Sequence, residues 1–421
     1  MACKIVISGG GTIGASLALI LTRTLPQIEV HLVEPRPADA QGDFSFFVKG
    51  GGRALALSQR STDILKEAGV WQSVHKICVK RMEVLDALSN GQIHWPQLFP
   101  FNSPATLDNK PLAWIVSEDQ LRSVLWSALR NSDHPGLVLH ENQTLVGFSQ
   151  TSQLVKCQLS SDETLMAHLA IGADGTHSPL RSLAQIPVTE RITGQSVLVA
   201  SIQTSRSHDN TAKQIFTPSG PIGLLPLTID GDDHWYHMIW SAPSDQINAL
   251  AGLGFQDFAR AFAHAADGIV GDCLWTSNAK KIPINIRTSE TICASGLALV
   301  GDAAQNLHPL MGQGFNLALA DVLCLCHMLR AELSQQPPAS IQPALQRYQR
   351  HRAFEHCLWS QTAHALLSLF TDRKPAPSLY TWASGVAMNA ALSVPGVTNL
   401  LQDFAAGDVR LWQRSSDTDS G

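Results

Sequence analysis

The first 34 residues restrict the fold more than any other segment. Lys4-Ile-Val-Ile-Ser8 is a short apolar run ending in Gly9-Gly10-Gly11-Thr12-Ile13-Gly14, and an apolar, proline-free stretch follows from Ile13 to Leu25. Val30-His-Leu-Val-Glu34 then reads as a second strand. Strand, glycine turn, helix and strand within ~30 residues form the opening unit of a doubly wound sheet. In this G-x-G-x-x-G pattern Gly9 makes the tight turn, Gly11 lets the backbone approach a pyrophosphate, and Gly14 allows close helix packing. The phosphate would sit at the positive end of the helix. Glu34 ends the second strand, 20 residues after Gly14, where a carboxylate accepts ribose hydroxyls. The unit predicts a bound dinucleotide and does not separate NAD from FAD.

The remainder of the 421-residue chain leaves room for two to three domains at ~150 residues each. Hydrophobic residues at 44% and charged residues at 15% supply a large core. With 30 basic against 35 acidic residues, the net charge of -5 argues against a nucleic-acid partner, which needs a basic footprint. The eight cysteines are scattered with no Cys-x-x-Cys pair and read as reduced thiols packed as small hydrophobes. Met1 to Lys4 leads directly into the first strand with no cleavage pattern, so a cytoplasmic protein is expected. Two uncharged stretches, 356–371 and 375–402, lack the ~20 continuous apolar residues of a spanning helix, and none is expected.

Further along, Ser61 to Ala68 reads as a helix stopped by Gly69, and four prolines make 91–111 an irregular excursion. Ser117-Glu-Asp-Gln120 fits a capping box ahead of Leu121, Leu125 and Leu129. Short strands are expected from Leu137 to Gly172 and again over 192–241. A strand at Leu297 to Val300 runs into a glycine-rich loop and a helix from Phe315 to Leu329. Nucleotide-domain signals therefore fall at both ends, with β-rich material inserted between. Trp359, Ala363, Leu366, Leu367 and Phe370 follow helical spacing and give one apolar stripe, read either as core packing or as a partner or membrane-surface contact. His234 and His237 lie on a β-like run and face opposite sides, and no metal-ligand pattern occurs; no metal is expected.

Two later motifs carry a family resemblance. Ala170-Ile-Gly-Ala-Asp174-Gly175-Thr-His-Ser178-Pro-Leu-Arg181 resembles the Asp-Gly motif of the flavin-dependent aromatic hydroxylases. Gly301-Asp302, continuing to Pro309-Leu-Met-Gly312-Gln313-Gly314-Phe-Asn316, resembles their Gly-Asp motif and Pro-x-x-Gly-Gln-Gly-x-Asn loop. Gly52-Arg53-Ala-Leu-Ala-Leu57-Ser58 and Phe216-Thr-Pro-Ser-Gly220-Pro-Ile-Gly-Leu-Leu-Pro226 are similar to segments of the ubiquinone-biosynthesis hydroxylases. Gln305-Asn-Leu-His308-Pro309 resembles their 2-polyprenyl-6-methoxyphenol branch. Two departures stand out: Gly50-Gly51-Gly52 replaces a Phe-Asp pair, and Gln120 or Arg122 stands where the family often has an arginine.

The resemblance implies an α/β fold: a Rossmann-like FAD-binding domain from 1–75, 112–190 and 285–350, an inserted β-rich substrate domain from 76–111 and 191–284, and a C-terminal helical region over 351–421. It implies bound FAD with Asp302 on a ribityl hydroxyl, Arg53 and Gln120 at the flavin, and Asp174 serving structure more than direct contact. Gly312-Gln313-Gly314 would open a helix whose positive end favours the anionic reduced flavin. The implied reaction is reduction by NAD(P)H, formation of a flavin C4a-hydroperoxide with O2, and hydroxylation of a polyprenylated phenol in ubiquinone biosynthesis, by a cytoplasmic enzyme at or near the membrane. The resemblance singles out no catalytic acid or base. The competing readings are a flavin-binding scaffold subunit of a biosynthetic complex, a prenyl reductase or halogenase on the same fold, and a nicotinamide dehydrogenase. The last would leave the Gly-Asp motif without a purpose.

Overall fold

The computed structural model describes residues 3–38, 52–86, 99–102, 111–151, 153–217, 220–306, 312–334 and 340–371. Its first sheet is built from distant parts of the chain. Lys4–Ser8 lies between Glu29–Glu34 and Leu169–Gly172, parallel to both. Leu137–Glu141 extends the sheet on one side in parallel, and Leu297–Leu299 on the other, with the short Cys293–Ala294 antiparallel at the edge. Strands buried on both faces read as continuous apolar runs, and Ile5, Val6, Ile7, Ala170 and Ile171 are all fully buried.

Helix Thr12–Thr24 packs on this sheet and begins at Gly11 with no side-chain cap. Gly14 is required there, because a Cβ would stand 1.8 Å from the Gly9 carbonyl oxygen. Helix Gln59–Glu67 is capped by Ser58, two residues ahead of the expected start at Ser61. Helix Glu118–Arg130 starts at Ser117, whose hydroxyl accepts the Gln120 N–H at 3.4 Å. That is one half of the capping box.

The second large sheet runs in order Gln305–Asn306, Lys280–Ser289, Val188–Thr204, Asp232–Pro243, Gly220–Ile229, Thr211–Thr217, Arg81–Asp86 and Phe99–Asn102. Its strands are long and mostly antiparallel, with side chains alternating between two faces. Leu198, Ile202, Leu224, Tyr236, Met238 and Trp240 point to one side, where Ile247, Phe258 and Phe262 of helices Ser244–Ala251 and Phe255–Ala266 cover them. Residues of the other face, Leu225, Leu227 and Trp235 among them, pack on Ala54, Ile77 and Ile115 of a small three-stranded sheet.

Two long helices close the chain's described part, Gly314–Leu333 and Gln342–Thr371. Among the described residues, Gly314–Leu333 alone is long and apolar enough to cross a membrane, with mean hydropathy 1.3. Two thirds of that window is buried inside the fold, so its apolarity is that of a core helix. The side chains of Trp359, Ala363, Leu366, Leu367 and Phe370 lie outside the described residues, as does the chain from 372 onward. All eight cysteines are unbridged, and burial pushes the Cys3 thiol up to about 11 and Cys157 up to about 12.

Candidate active site

The glycine turn and Glu34 form one end of the site. Glu34 is 7% exposed; its Oε2 accepts the Gly10 N–H at 2.6 Å and its Oε1 the Arg36 N–H at 2.9 Å. The Arg122 guanidinium stands 3.5 Å from Oε1 and also donates to the Arg36 carbonyl. These bonds hold the carboxylate rigidly and leave Oε2 one further acceptor position. Gly9 has φ +98°, and a Cβ there would meet the Ala173 carbonyl oxygen at 2.5 Å. Gly11 differs from its neighbours, since a Cβ on it would meet nothing within 4 Å. The turn is crowded on its inner side and open at Gly11.

Asp174 follows the strand beside Lys4–Ser8. Its Oδ2 accepts the Ser8 hydroxyl at 2.8 Å and the Leu180 N–H at 3.1 Å, tying the first strand's end to the short helix Pro179–Leu183. Burial pushes its carboxyl above the usual carboxylate range, with bonds from Ser178, Leu180 and Ser8 opposing. Arg181 of the same segment bridges outward to the Ala303 carbonyl at 2.8 Å, joining the Asp-Gly and Gly-Asp motifs.

A second group gathers Arg53, Glu118 and Asp302, with Gln120 two residues on from Glu118. Asp302 lies in the turn Gly301–Ala303 just after strand Leu297–Leu299, and Gly301 takes φ +60° to make that turn. Burial raises the Asp302 carboxyl, opposed by Arg53 and by a bond from the Thr176 hydroxyl. Burial also raises Glu118, with Arg53 again opposing; the Arg53 guanidinium stands 3.6 Å from the Glu118 carboxylate and is otherwise 61% exposed. Gln120 points its Oε1 into a buried position with no hydrogen-bond partner.

Gly312 and Gly314 flank the start of helix Gly314–Leu333, and a Cβ on either would meet nothing within 4 Å. The first turn of that helix carries no acidic residue. Residues 307–311, which include Pro309, lie outside the described residues, as do Gly50 and Gly51. The Asn316 side chain is engaged within the chain. Its Oδ1 accepts the Ser58 N–H at 3.0 Å and the Ser61 hydroxyl at 2.7 Å, while its Nδ2 donates to the Ala56 carbonyl and to Gln313 Oε1, both at 3.0 Å. All four hydrogen-bonding positions of the amide are spent within the chain. Asn316 clamps the Arg53-bearing segment to the glycine-loop helix.

Three participants had no signal in the sequence. Trp126 donates its indole N–H to the Gly10 carbonyl at 2.8 Å. His237, on the small-sheet side of the large sheet, is buried and takes the Ala54 N–H at 3.5 Å, one residue from Arg53. Asp321 accepts the Gly301 N–H at 2.8 Å. None belongs to a spaced motif, because each meets its partner only through tertiary contact. His234 joins Asp232 and Asp233 in a tight group, but Asp232 is already engaged by the His234 and Trp235 side chains and by Gln203 at an exposed hairpin turn.

The open face of Gly11, the uncapped helix Thr12–Thr24, the open Gly312 and Gly314, and the orphaned Gln120 oxygen together fit an elongated dinucleotide such as FAD. Fold and site define an FAD-dependent monooxygenase. The chain belongs to the FAD binding domain family, which it matches over residues 2–355, and within it to the ubiquinone-biosynthesis hydroxylases. It is 30% identical to 3-demethoxyubiquinol 3-hydroxylase of Escherichia coli over 88% of this chain and 91% of that one. It is 27% identical to the mitochondrial ubiquinone biosynthesis monooxygenase COQ6 of Mus musculus, over 90% and 86% of the two chains. The fold is shared with p-nitrophenol 4-monooxygenase PnpA of Pseudomonas putida, with a TM-score of 0.74 at 15% identity over 97% and 99% of the chains. PqsL of Pseudomonas aeruginosa superposes with a TM-score of 0.71 at 21% identity over 88% and 97%. The enzyme takes an aromatic substrate and O2.

Proposed function

We propose that this enzyme hydroxylates a lipid-tailed phenol of ubiquinone biosynthesis, of the 2-polyprenyl-6-methoxyphenol class, from the cytoplasmic side of the membrane. When bound, FAD takes reducing equivalents from NAD(P)H and activates O2 for transfer to the phenol ring. In this reading Gly9, Gly11 and Gly14 admit the pyrophosphate to the start of helix Thr12–Thr24, and Glu34 holds the adenosine ribose through its remaining acceptor position. Asp302 holds a ribityl hydroxyl. Arg53 and the Gln120 amide face the flavin, and the start of helix Gly314–Leu333 favours negative charge there. Asp174 and Asn316 hold the segments that carry these groups.

The observation that carries the substrate class is one row across the large sheet. Gly223 pairs with Gln214 on one side and Ile239 on the other, and Ile239 pairs with Val199. Paired residues share a face, so Val199, Gly223 and Ile239 give a half-buried apolar floor between Gln214 at one end of the row and the exposed Lys280, paired with Val199, at the other. The neighbouring row on the same face holds Leu225, His237 and Ser201, and His237 touches Ala54 next to Arg53. Such a floor supports an aromatic ring laid across its apolar centre. It also lets water be excluded where the oxygen is transferred. The prenyl tail, or a membrane or partner surface that delivers it, would use the last helix, where Phe354 is 61% exposed and the 359–370 stripe follows.

The test is substrate-stimulated NAD(P)H oxidation with phenols of increasing prenyl length, with detection of hydroxylated product. Each buried CH2 gains about 0.8 kcal/mol, so the first two isoprene units should raise efficiency visibly. A deletion strain should accumulate the unhydroxylated prenylphenol. Best turnover of a prenyl-free benzoate, with normal quinone in the deletion strain, overturns the substrate assignment.

A further inference from the structure

Behind the Gly301–Asp302 turn lies a buried ionic cluster that the reaction itself does not use. Asp321 stands on helix Gly314–Leu333 and is 1% exposed. Its Oδ2 accepts the Gly301 N–H at 2.8 Å, an amide at the end of strand Leu297–Leu299. Its Oδ1 accepts from Arg352 Nε and pairs with His356 Nε2 at 3.0 Å, both on helix Gln342–Thr371. Arg352 is fully buried and shares its other nitrogens between the Glu355 carboxylate and the Leu317 carbonyl. Burial would push the Asp321 carboxyl up, but Arg352 and His356 outweigh it and hold it below the usual carboxylate range.

Position gives the cluster its meaning. Gly301, Gln305, Gly314, Asp321 and His356 line one small cavity, so the Gly-Asp turn, the glycine-loop helix and the last helix meet around a common space. Gly301 has little freedom there: a Cβ would come within 3.1 Å of Ala318. A buried carboxylate fixed by a guanidinium cannot rotate without stranding a charge, and removing one partner of such a pair is costly. Its second oxygen therefore pins the amide one residue before Asp302.

We infer that Asp321 is a positioning residue for FAD: it sets the Gly301–Asp302 turn, and the last helix, through Arg352 and His356, holds Asp321 in place. Cofactor retention is then coupled to how the last helix is docked. The inference rests on the reading that Asp302 contacts FAD.

The experiment follows FAD release from full-length holoenzyme by the rise of free-flavin fluorescence on dilution, together with the visible spectrum of the bound flavin. Asp321→Asn keeps an oxygen for the Gly301 N–H and loses the charge that fixes it. It should release FAD at least ~10-fold faster and shift the bound-flavin spectrum. His356→Gln, a milder change for the case in which Asp321→Asn does not fold, should move both readouts in the same direction by a smaller factor. Glu332→Gln removes the Arg347–Glu332 ion pair between the same two helices but away from the Gly301 turn. It should leave release and spectrum unchanged even if the unfolding midpoint drops. Native release from Asp321→Asn or, where that variant does not fold, from His356→Gln overturns the inference, and so does equal loss in Glu332→Gln. Asp302→Ala separates the two readings: if it loses FAD while Asp321→Asn does not, only the positioning role fails. If Asp302→Ala retains FAD normally, the site assignment fails and the positioning role with it.

Discussion

Trp126 donates its indole N–H to the Gly10 carbonyl at 2.8 Å, and its ring edge fills the space a side chain on Gly10 would need. A Cβ on Gly10 would sit 2.7 Å from Trp126 Cζ2 and 2.9 Å from Glu34 Cβ. Gly10 is an unconstrained position in the G-x-G-x-x-G pattern, yet here it is crowded like Gly9 and Gly14 and unlike the open Gly11. The glycine turn is therefore held from behind by Trp126 and Glu34, and its front is left to the cofactor.

Gly10→Ala and Gly11→Ala should consequently fail in different ways. Gly10→Ala crowds Trp126 and Glu34 and should cost about 1–3 kcal/mol of folding stability, the range for overpacking a tight core. Gly11→Ala places its methyl in open space and should unfold like the wild type, while FAD content falls because the methyl occupies the pyrophosphate's approach. Urea unfolding and flavin absorbance per chain separate the two. Equal stability loss in both would put the open face of Gly11 in error.

Glu34→Ala and Asp302→Ala should both purify depleted of FAD. Losing a charge-assisted hydrogen bond costs about 1.5–3 kcal/mol, roughly a tenfold to hundredfold loss of affinity. The two should part on reduction potential. On the proposed reading Glu34 lies at the adenosine end, so its loss should leave the potential of the remaining bound flavin unchanged. A large potential shift in Glu34→Ala with normal affinity would move that residue to the wrong end of the cofactor.

His237 gives stability a pH dependence of known sign. Burial, with Arg53 adding repulsion, pulls its imidazole down to about 4. An unfolded histidine titrates near 6.5, so between those values the unfolded chain binds a proton the folded chain refuses. The folded state is favoured in full above pH 6.5 and loses up to roughly 3 kcal/mol as pH falls toward 4. His237→Gln should flatten the fall of the thermal midpoint across pH 6.5 to 4.5. An unchanged slope would assign the proton uptake to another group.

Asn316→Leu should destabilise more than its size change suggests. It strands the buried Ser58 N–H, the Ser61 hydroxyl and the Ala56 carbonyl, each costing about 1–3 kcal/mol when unpaired, with partial relaxation expected. The Arg53 segment should loosen with it. Chymotrypsin digestion near residues 52–58 should accelerate in Asn316→Leu and remain at the wild-type rate in Asp302→Ala. Equal protection in both variants would contradict the clamp.

The strand–turn–helix–strand opening, Ser117 as a cap, the helix after the glycine loop and the placement of Glu34, Asp174 and Asp302 at or just after strand ends could all be read from the amino acids. Each is announced by neighbours within a few turns of chain: a period of apolar residues, a cap, or a glycine that only one backbone conformation requires. Local spacing carries that information because helices and strands impose fixed repeats. The helix start at Gln59 lies two residues ahead of the expected Ser61, since Gln59 and Arg60 carry no apolar signal and the Ser58 cap is confirmed only by its bond to Ser61 N–H.

Trp126 behind Gly10, Asn316 against Ser58, and Asp321 between Gly301 and Arg352 left no such trace. Their partners lie 116, 258, 20 and 31 residues away. At those separations chain spacing says nothing about distance, and each side chain has an equally reasonable local reading as core aromatic, helix amide or solvated acid. The amino-acid order settled which local pieces the chain could carry: a dinucleotide turn, an aspartate after the last parallel strand and a glycine-opened helix. Packing settled which of those groups are tied within the chain and which are left open, because a buried polar atom must find a partner and the folded chain alone determines which one is within reach.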